Sequence, residues 1–416
     1  MPTDLCLGMS RVDGKRTLKV AIVGCGSAGP AAATLLARRG HEVRLFERAA
    51  ECRPVGAGFL LQPSGLAVLD ELGVLDGVMK HGGKIERLHV LDVAGHELLD
   101  LRYQELGSGH FGLGLHRPVL LHYLLEAMAG ENVPVTWGWE VTEVKRLSDG
   151  WTLTATDGRT ESGFDLVIGA DGARSVMRET LGGADLDRGY AWGAHWFIGR
   201  NEGAFPIHDL HQVVDGTRYL AGFLATGREL GGEDDLVSLF WSVRLDEDAA
   251  WRARPLDEWK QEVLRVVPRA RPLLDQIHDW SQVLTARYGD VRMKQWHGDD
   301  WVLLGDAGHA MSPQLGQGVN LALADASCLV CCLDELPLPD ALRVYSRRRR
   351  RVLRYYGFST RQLTPWFQSD YEFLDPIRHF FFRLMQCLPP ARKFMTRTMA
   401  GMVGAQASCQ SRREGE

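Results

Sequence analysis

The apolar run 18–24, LKVAIVG, passes directly into Gly24-Cys25-Gly26-Ser27-Ala28-Gly29, and this junction restricts the fold more tightly than any other stretch of the chain. Continuous apolar, β-branched residues predict a strand buried on both faces. Residues 30–40, PAAATLLARRG, follow with helical periodicity and Gly40 is placed to stop the helix; 41–47, HEVRLFE, predicts a second strand. A strand, a glycine turn, a helix and a strand make a βαβ unit, and therefore a parallel sheet. The first glycine permits a tight turn, the second lets a pyrophosphate approach the backbone, and the third lets the helix pack on the strand. The helix N-terminus offers free N–H groups and a positive dipole end to phosphates. Glu47 lies about twenty residues beyond Gly24, where an acid is expected to accept hydrogen bonds from an adenosine ribose.

This motif alone does not separate one dinucleotide from another. Two later stretches narrow the choice. DLVIGADGARS (165–175) carries Asp171-Gly172 at the end of a predicted strand, and LLGDAGHAMSPQLGQGVNLALADA (303–326) carries Gly305-Asp306, then Pro313, Gly316-Gln317-Gly318 and Asn320. With VGAGFLLQPSGLAVLDELG (55–73) and LHRPVLLHYLL (115–125), these signatures in this order resemble the group A flavoprotein monooxygenases, the para-hydroxybenzoate hydroxylase-like superfamily. The resemblance runs over roughly residues 18–360.

It implies an α/β fold: a Rossmann-like FAD-binding domain from 17–82, 105–182 and 285–362, an inserted antiparallel-sheet substrate domain from 83–104 and 183–284, and C-terminal helices and tail over 363–416. It also implies that Gly24, Gly26, Ser27, Ala28, Gly29, Glu47 and Arg48 hold the ADP end of FAD. Arg117 matches the position contacting the ribityl-phosphate region, and Val141 contacts adenine through its backbone. Asp306, after Gly305, accepts from a ribityl hydroxyl. Pro313 lies against the ring, and Gly316, Gln317, Gly318 and Asn320 open a helix toward the flavin N1 and O2 edge. Negative charge on reduced flavin there favours N–H donors and a helix dipole. Asp171 is associated with FAD and NAD(P)H use, although the residue also suits a cap on the next turn.

The implied reaction is NAD(P)H-dependent reduction of FAD, addition of O2 at C4a, and transfer of one oxygen from the hydroperoxide to an aromatic or polyketide-like small molecule. Epoxidation, Baeyer–Villiger insertion and other flavin oxidoreductase reactions remain open on the same scaffold, as does a non-catalytic GDI-like Rossmann binding protein. The WxWxIP string of flavin halogenases is absent; WGWE (137–140) is the nearest. No GxSxG elbow is present.

The substrate side is less legible. Aromatic, strand-like segments between 185 and 250 offer His195, Trp196, Tyr219, Phe223 and Trp241 as a ring-binding wall, and Arg218 as an anchor for an anionic or phenolate substrate. Sheet packing for the rings and a surface position for the arginine are the competing readings. Arg218 and Pro313 are the two candidates for a direct catalytic role.

The net charge of −5 argues against nucleic-acid binding. The five consecutive arginines Arg347–Arg351 read as a solvated helix face with one or two paired to acids. Eight cysteines in a chain of 416 residues are no disulfide framework. Cys328, Cys331 and Cys332 sit in an apolar helical run without a second ligand pair, so no metal is expected. No stretch approaches the roughly 18 apolar residues of a membrane span, and residues 1–16 resemble a loose leader rather than a signal peptide. A cytoplasmic location is the resulting expectation. FFFRLMQCLPPARKFM (380–395) suits a helix packed on the domain, with a membrane-surface helix or a lid as its alternatives.

Overall fold

The structure, a computed structural model, describes residues 16–51 and 58–404. Cys6, Cys52 and Cys409, the leader, the start of the 55–73 match and the tail from 405 lie outside the described residues.

Three separated pieces of chain build one parallel sheet. Strands β1 (Lys19–Val23) and β2 (Glu42–Glu47) come from the first, β8 (Val135–Trp137) and β12 (Leu166–Gly169) from the second, and β20 (Trp301–Leu303) from the third. The order is β20-β12-β1-β2-β8, with Val20 opposite Leu166 and Val43. Alternate residues feed two cores, as a doubly covered sheet requires. Val20 and Ile22 pack with helices α1 (Ala28–Arg38), α2 (Pro63–Glu71), α3 (Leu75–Met79), α4 (Arg117–Gly130) and α10 (Gly318–Glu335). Ala21 and Val23 face the second core, which takes in α5 (Val176–Leu181), α9 (Asp306–His309) and the meander β9 (Val141–Leu147), β10 (Gly150–Ala155) and β11 (Thr160–Phe164).

The second layer is a seven-stranded sheet in the order β18-β14-β17-β16-β15-β5-β6. Its members are β5 (Arg87–Asp92), β6 (Glu97–Arg102), β14 (Trp192–Arg200), β15 (Asp209–Asp215), β16 (Tyr219–Gly227), β17 (Leu236–Arg244) and β18 (Leu284–Ala286). All its pairings are antiparallel except β15 with β5, which is parallel and joins the 83–104 insertion to the later strands. Strand β18 carries this sheet just past the boundary expected at 284. A ribbon of β13 (Leu186–Gly189) with β19 (Gly289–Arg292) marks where the chain enters and leaves the layer.

Helices α6 (Asp248–Arg252), α7 (Leu256–Val266) and α8 (Arg271–Leu274) cover the outer face of this sheet. Pro268 and Pro272 divide α7 from α8. The inner face meets the small sheet of β3 (Gly58–Leu61), β7 (Gly112–His116) and β4 (Gly83–Ile85). There the backbones touch: a Cβ on Gly114 would lie 1.9 Å from the Ala225 carbonyl oxygen. Helix α11 (Leu338–Phe367) crosses the boundary expected at 362, with Pro365 accommodated in its last turn. Helices α12 (Leu374–Cys387) and α13 (Pro389–Met399) then pack across the inner edge of the sheet.

Candidate cofactor and substrate site

The three glycines of the first motif meet different surroundings. Gly24 has φ of 105°, and a Cβ there would lie 2.4 Å from the Ala170 carbonyl oxygen. A Cβ on Gly29 would lie 2.0 Å from the Gly24 carbonyl oxygen, so α1 rests directly on the turn. A Cβ on Gly26 meets nothing within 4 Å, which leaves its open side free for a ligand's approach. Ser27 is the N-cap of α1 without a side-chain capping bond, and Ala28 begins the helix. Glu47 does more than end β2. Its Oε2 accepts from the Cys25 N–H at 2.7 Å and its Oε1 from the Ala49 N–H at 2.9 Å, so the acid pins the glycine turn.

Arg48 beside it and Arg117 at the start of α4 are both exposed. The Trp139 N–H donates to the Glu47 carbonyl, bringing the segment before Val141 alongside. Val141 itself points its side chain into the second core.

Asp171 braces the start of α5, whose N-cap is Ser175. It accepts from Ser175 Oγ at 2.5 Å and from the Met177 N–H at 3.2 Å at the start of α5. Burial pushes its carboxyl above the ordinary value against these hydrogen bonds. Its neighbour Ala170 abuts Gly24, so the two motifs form one wall.

At the third motif, Gly305 is left-handed with φ of 59° and Asp306 is exposed, its carboxylate without a protein hydrogen-bond partner among the described residues. A Cβ on Gly318 would lie 3.9 Å from Asp306 Oδ1, which joins this acid to the start of α10. Pro313–Leu315 forms a single 3-10 turn, Gly316 adopts the left-handed conformation with open space around it, and α10 begins at Gly318. Asn320 is wholly engaged: Oδ1 accepts from the Gln62 N–H at 2.8 Å, and Nδ2 donates to the Leu60 and Gly316 carbonyls at 3.1 and 3.0 Å. Gln317 is buried and its Nε2 donates to the Met399 carbonyl at 2.7 Å. Both side chains brace the turn rather than project from it.

A buried ionic cluster holds this motif from behind, and its members stand outside the sequence candidates. Asp325 on α10 is fully buried. Its Oδ2 accepts from the Gly305 N–H at 2.9 Å and lies 2.6 Å from His309 Nε2; its Oδ1 accepts from Arg349 Nε at 2.6 Å. Burial alone would raise this carboxyl, but the charges of His309 and Arg349, with the His309 and Gly305 hydrogen bonds, hold it below the ordinary value. Arg349 is thus one arginine of the 347–351 run that pairs inward. Arg348 pairs with Glu335. The available signal was an acid on the apolar stripe of α10, between Leu321 and Leu329.

The seven-stranded sheet divides the substrate candidates by face. His195, Tyr219, Phe223 and Trp241 all point outward, into the core under α7. His195 Nε2 lies 3.0 Å from Asp248 Oδ1 with its ring against Trp259 and Trp280. Burial holds its imidazole below the ordinary pKa against the Asp248 contact. Phe223 stacks on Phe205 at 3.8 Å, and Tyr219 lies 5.3 Å from Trp241. These four are packing residues of the outer layer, because strand alternation gives them the parity opposite to the inner face.

Trp196 alone of the five rings lies inward. It sits T-shaped against Phe240 at 5.4 Å, and its Nε1 donates to Ser238 Oγ. Gly222 lies beside them: a Cβ there would be in ordinary contact with Phe240 Cβ at 3.6 Å and the Gln212 side chain from 3.7 Å. Gln314 Nε2 donates to Gln368 Oε1 at 2.7 Å, and Gln368 Nε2 donates to the Gly193 carbonyl at 3.1 Å, tying the Pro313 turn to β14 beside this face.

Arg218 is committed elsewhere. It bridges Glu247 at 2.9 Å and Asp370 at 3.1 Å and lies over the Trp192 ring. All three charges are more than a third exposed. Arg218→Ala is therefore expected to change stability by less than about 1 kcal/mol and to leave the substrate KM unchanged. Steady-state kinetics with a turned-over substrate check this, and a several-fold rise in KM would return Arg218 to the substrate.

Comparison with known proteins agrees with this arrangement. The model of the FAD binding domain family matches residues 17–355. The chain is 32% identical to 3-amino-4-hydroxybenzoate 2-monooxygenase of Streptomyces cremeus, over 80% of this chain and 84% of that protein. It is 28% identical to 2-heptyl-3-hydroxy-4(1H)-quinolone synthase of Pseudomonas aeruginosa, over 81% and 86% of the two chains. The crystal structure of P. aeruginosa PqsL in complex with 2-aminobenzoylacetate superposes with a TM-score of 0.75 at 26% identity, covering 86% of this chain and 99% of the other.

Proposed function

The chain belongs to the FAD binding domain family and, within it, to the FAD-dependent aromatic hydroxylases and monooxygenases; from that premise we propose that it uses NADH or NADPH and O2 to hydroxylate an aromatic small molecule. One observation carries the reading. The open side of Gly26, the carboxylate of Asp306, unpartnered among the described residues, and the left-handed Gly316 ahead of α10 gather at the carboxyl ends of the parallel strands, where open α/β sheets bind their ligands. These residues fit FAD. The first turn of α1 would take the phosphates, Asp306 a ribityl hydroxyl, and the N-terminus of α10 the electron-rich edge of the ring.

When bound, FAD supplies the redox and oxygen-activating chemistry that side chains lack. The chain's own residues position and enclose. Asp325 holds the Gly305 N–H and so fixes the turn that presents Asp306. Asn320 and Gln317 hold the Pro313–Gly318 turn against β3 and α13. The Trp196–Phe240 pair provides an apolar wall, and beside Gly222 the Gln212 amide offers a neutral donor and acceptor. Such a face favours an uncharged aromatic, including a fused aromatic polyketide, over a carboxylate.

Asp306→Ala is expected to abolish retention of FAD while leaving the circular dichroism of the sheet unchanged. Flavin absorbance of the purified variant measures this, and full retention would remove Asp306 from the cofactor site. The reaction is tested by substrate-stimulated NAD(P)H oxidation over phenols, quinolones and polyketides, with mass spectrometry under labelled O2. Product without the label would overturn the monooxygenase reading.

A further inference from the structure

Helix α12 buries Phe382 yet leaves most of its apolar side chains outside. Phe373 at its N-cap and Ile377, Phe380, Phe381, Leu384 and Leu388 along and just after it fall on one stripe at helical spacing, exposed to between 42% (Phe381) and 72% (Phe380). Its inward face carries the fully buried Arg378, whose guanidinium donates to the Gly216 and Trp366 carbonyls at 2.9 and 2.6 Å and pairs with Asp375. A surface helix in water turns its apolar stripe to the core and its charges outward. Here Arg378 is inside beside the buried Phe382, its charge matched by protein oxygens, and six large apolar side chains face out. Phe394 on α13 is half exposed as well and meets Tyr355 of α11. Contiguous apolar exposure of this kind marks an interaction surface.

The charges around the patch identify what covers it. From 372 to 404 the chain has two acids, Glu372 and Asp375, against Arg378, Arg383, Arg392, Lys393 and Arg397. Arg378 and Arg392 have acid partners, Asp375 and Glu105. Arg383, Lys393 and Arg397 are exposed and have no acid partner among the described residues. The whole chain is net negative, so this local excess is a feature of the patch. An apolar stripe rimmed by lysine and arginine is the composition of a helix lying in a lipid–water interface. A symmetric second copy would set the same cations against each other. The tail 405–416 has no aromatic or branched aliphatic residue to supply cover. No helix among the described residues is long and apolar enough to cross a membrane, and α12, at about 21 Å for its length, suits an in-plane position.

We propose that α12 and α13 dock the protein on an anionic bilayer surface, with Phe380, Phe381 and Leu384 entering the acyl boundary and Arg383, Lys393 and Arg397 meeting the lipid headgroups. The test is flotation of the FAD-loaded protein with vesicles of phosphatidylcholine alone or mixed with phosphatidylglycerol, beside a Phe380→Asp/Leu384→Asp double variant. The expected result is binding to the mixed vesicles only, its release by high salt, and about a tenfold lower bound fraction for the variant at unchanged flavin content. Equal binding to both compositions would overturn the anionic surface. So would absence from both vesicle types, and a wild-type dimer that the double variant turns into a monomer would assign the face to a second copy.

Discussion

Asp325→Ala is expected to lower folding stability by roughly 3–5 kcal/mol and to release FAD, the largest effect of any single side-chain truncation at this site. The reason is what it leaves behind. Arg349 is buried with its Nε directed at Asp325, and the Gly305 N–H would lose its acceptor. An unpaired buried guanidinium costs far more than the lost contact itself. Asp325→Asn keeps a carbonyl for Gly305 but no charge for Arg349, so it should fall between the two. Thermal melts with flavin release as a second signal read both consequences. Because the native state holds the Asp325 carboxyl below its ordinary value, its contribution is complete above the unfolded value of about 3.9 and is lost as pH falls through the lower folded value. The stability gap between wild type and Asp325→Ala should therefore narrow in acid. An unchanged melting temperature and flavin content would sink the positioning role.

The second large effect separates two glycines of one motif. Gly29→Ala places a Cβ 2.0 Å from a carbonyl oxygen of the backbone, which cannot rotate away. Helix α1 must lift from β1, at a cost of about 1–3 kcal/mol or more, with loss of the cofactor. Gly26→Ala meets no atom within 4 Å and its φ is not in the left-handed region. It should melt as the wild type does, yet bind FAD more than about tenfold weaker, equivalent to about 1.4 kcal/mol. Circular dichroism melts and flavin titration of the apoprotein give the comparison. Wild-type FAD affinity in Gly26→Ala would argue that the open side of this residue is not where the pyrophosphate lies.

Why the cofactor half was legible and the substrate half was not comes down to what each demands of the chain. Gly24, Gly29, Gly305 and Gly316 answer backbone requirements that only one residue type meets, so their spacing survives as a pattern. The faces of the seven-stranded sheet leave no such record. Both are covered with apolar and aromatic side chains, so polar alternation does not label inside and outside, and a shift of one residue exchanges them. His195 and Trp196 are neighbours in sequence and lie on opposite faces for this reason. Asp171 shows a different limit: a Gly-turn acid reads equally as ligand or cap, and its bonds to Ser175 and Met177 belong to the cap. Arg349 was visible only as one of five arginines. Helical periodicity turned it inward, and Asp325, a lone acid on an apolar stripe, was the partner to seek.

The parallel seam between β15 and β5 also sets a timetable for making the protein. Hairpin β5–β6 leaves the ribosome about 110 residues before Asp209–Asp215 arrives to pair with it, an interval of roughly 5–22 s at ordinary rates of synthesis. An isolated hairpin is marginal in water, and one edge of this one waits unpaired throughout. The nascent chain therefore spends that interval with an adhesive edge exposed. Slower elongation through residues 105–208 should raise aggregation of newly made protein without altering the finished fold.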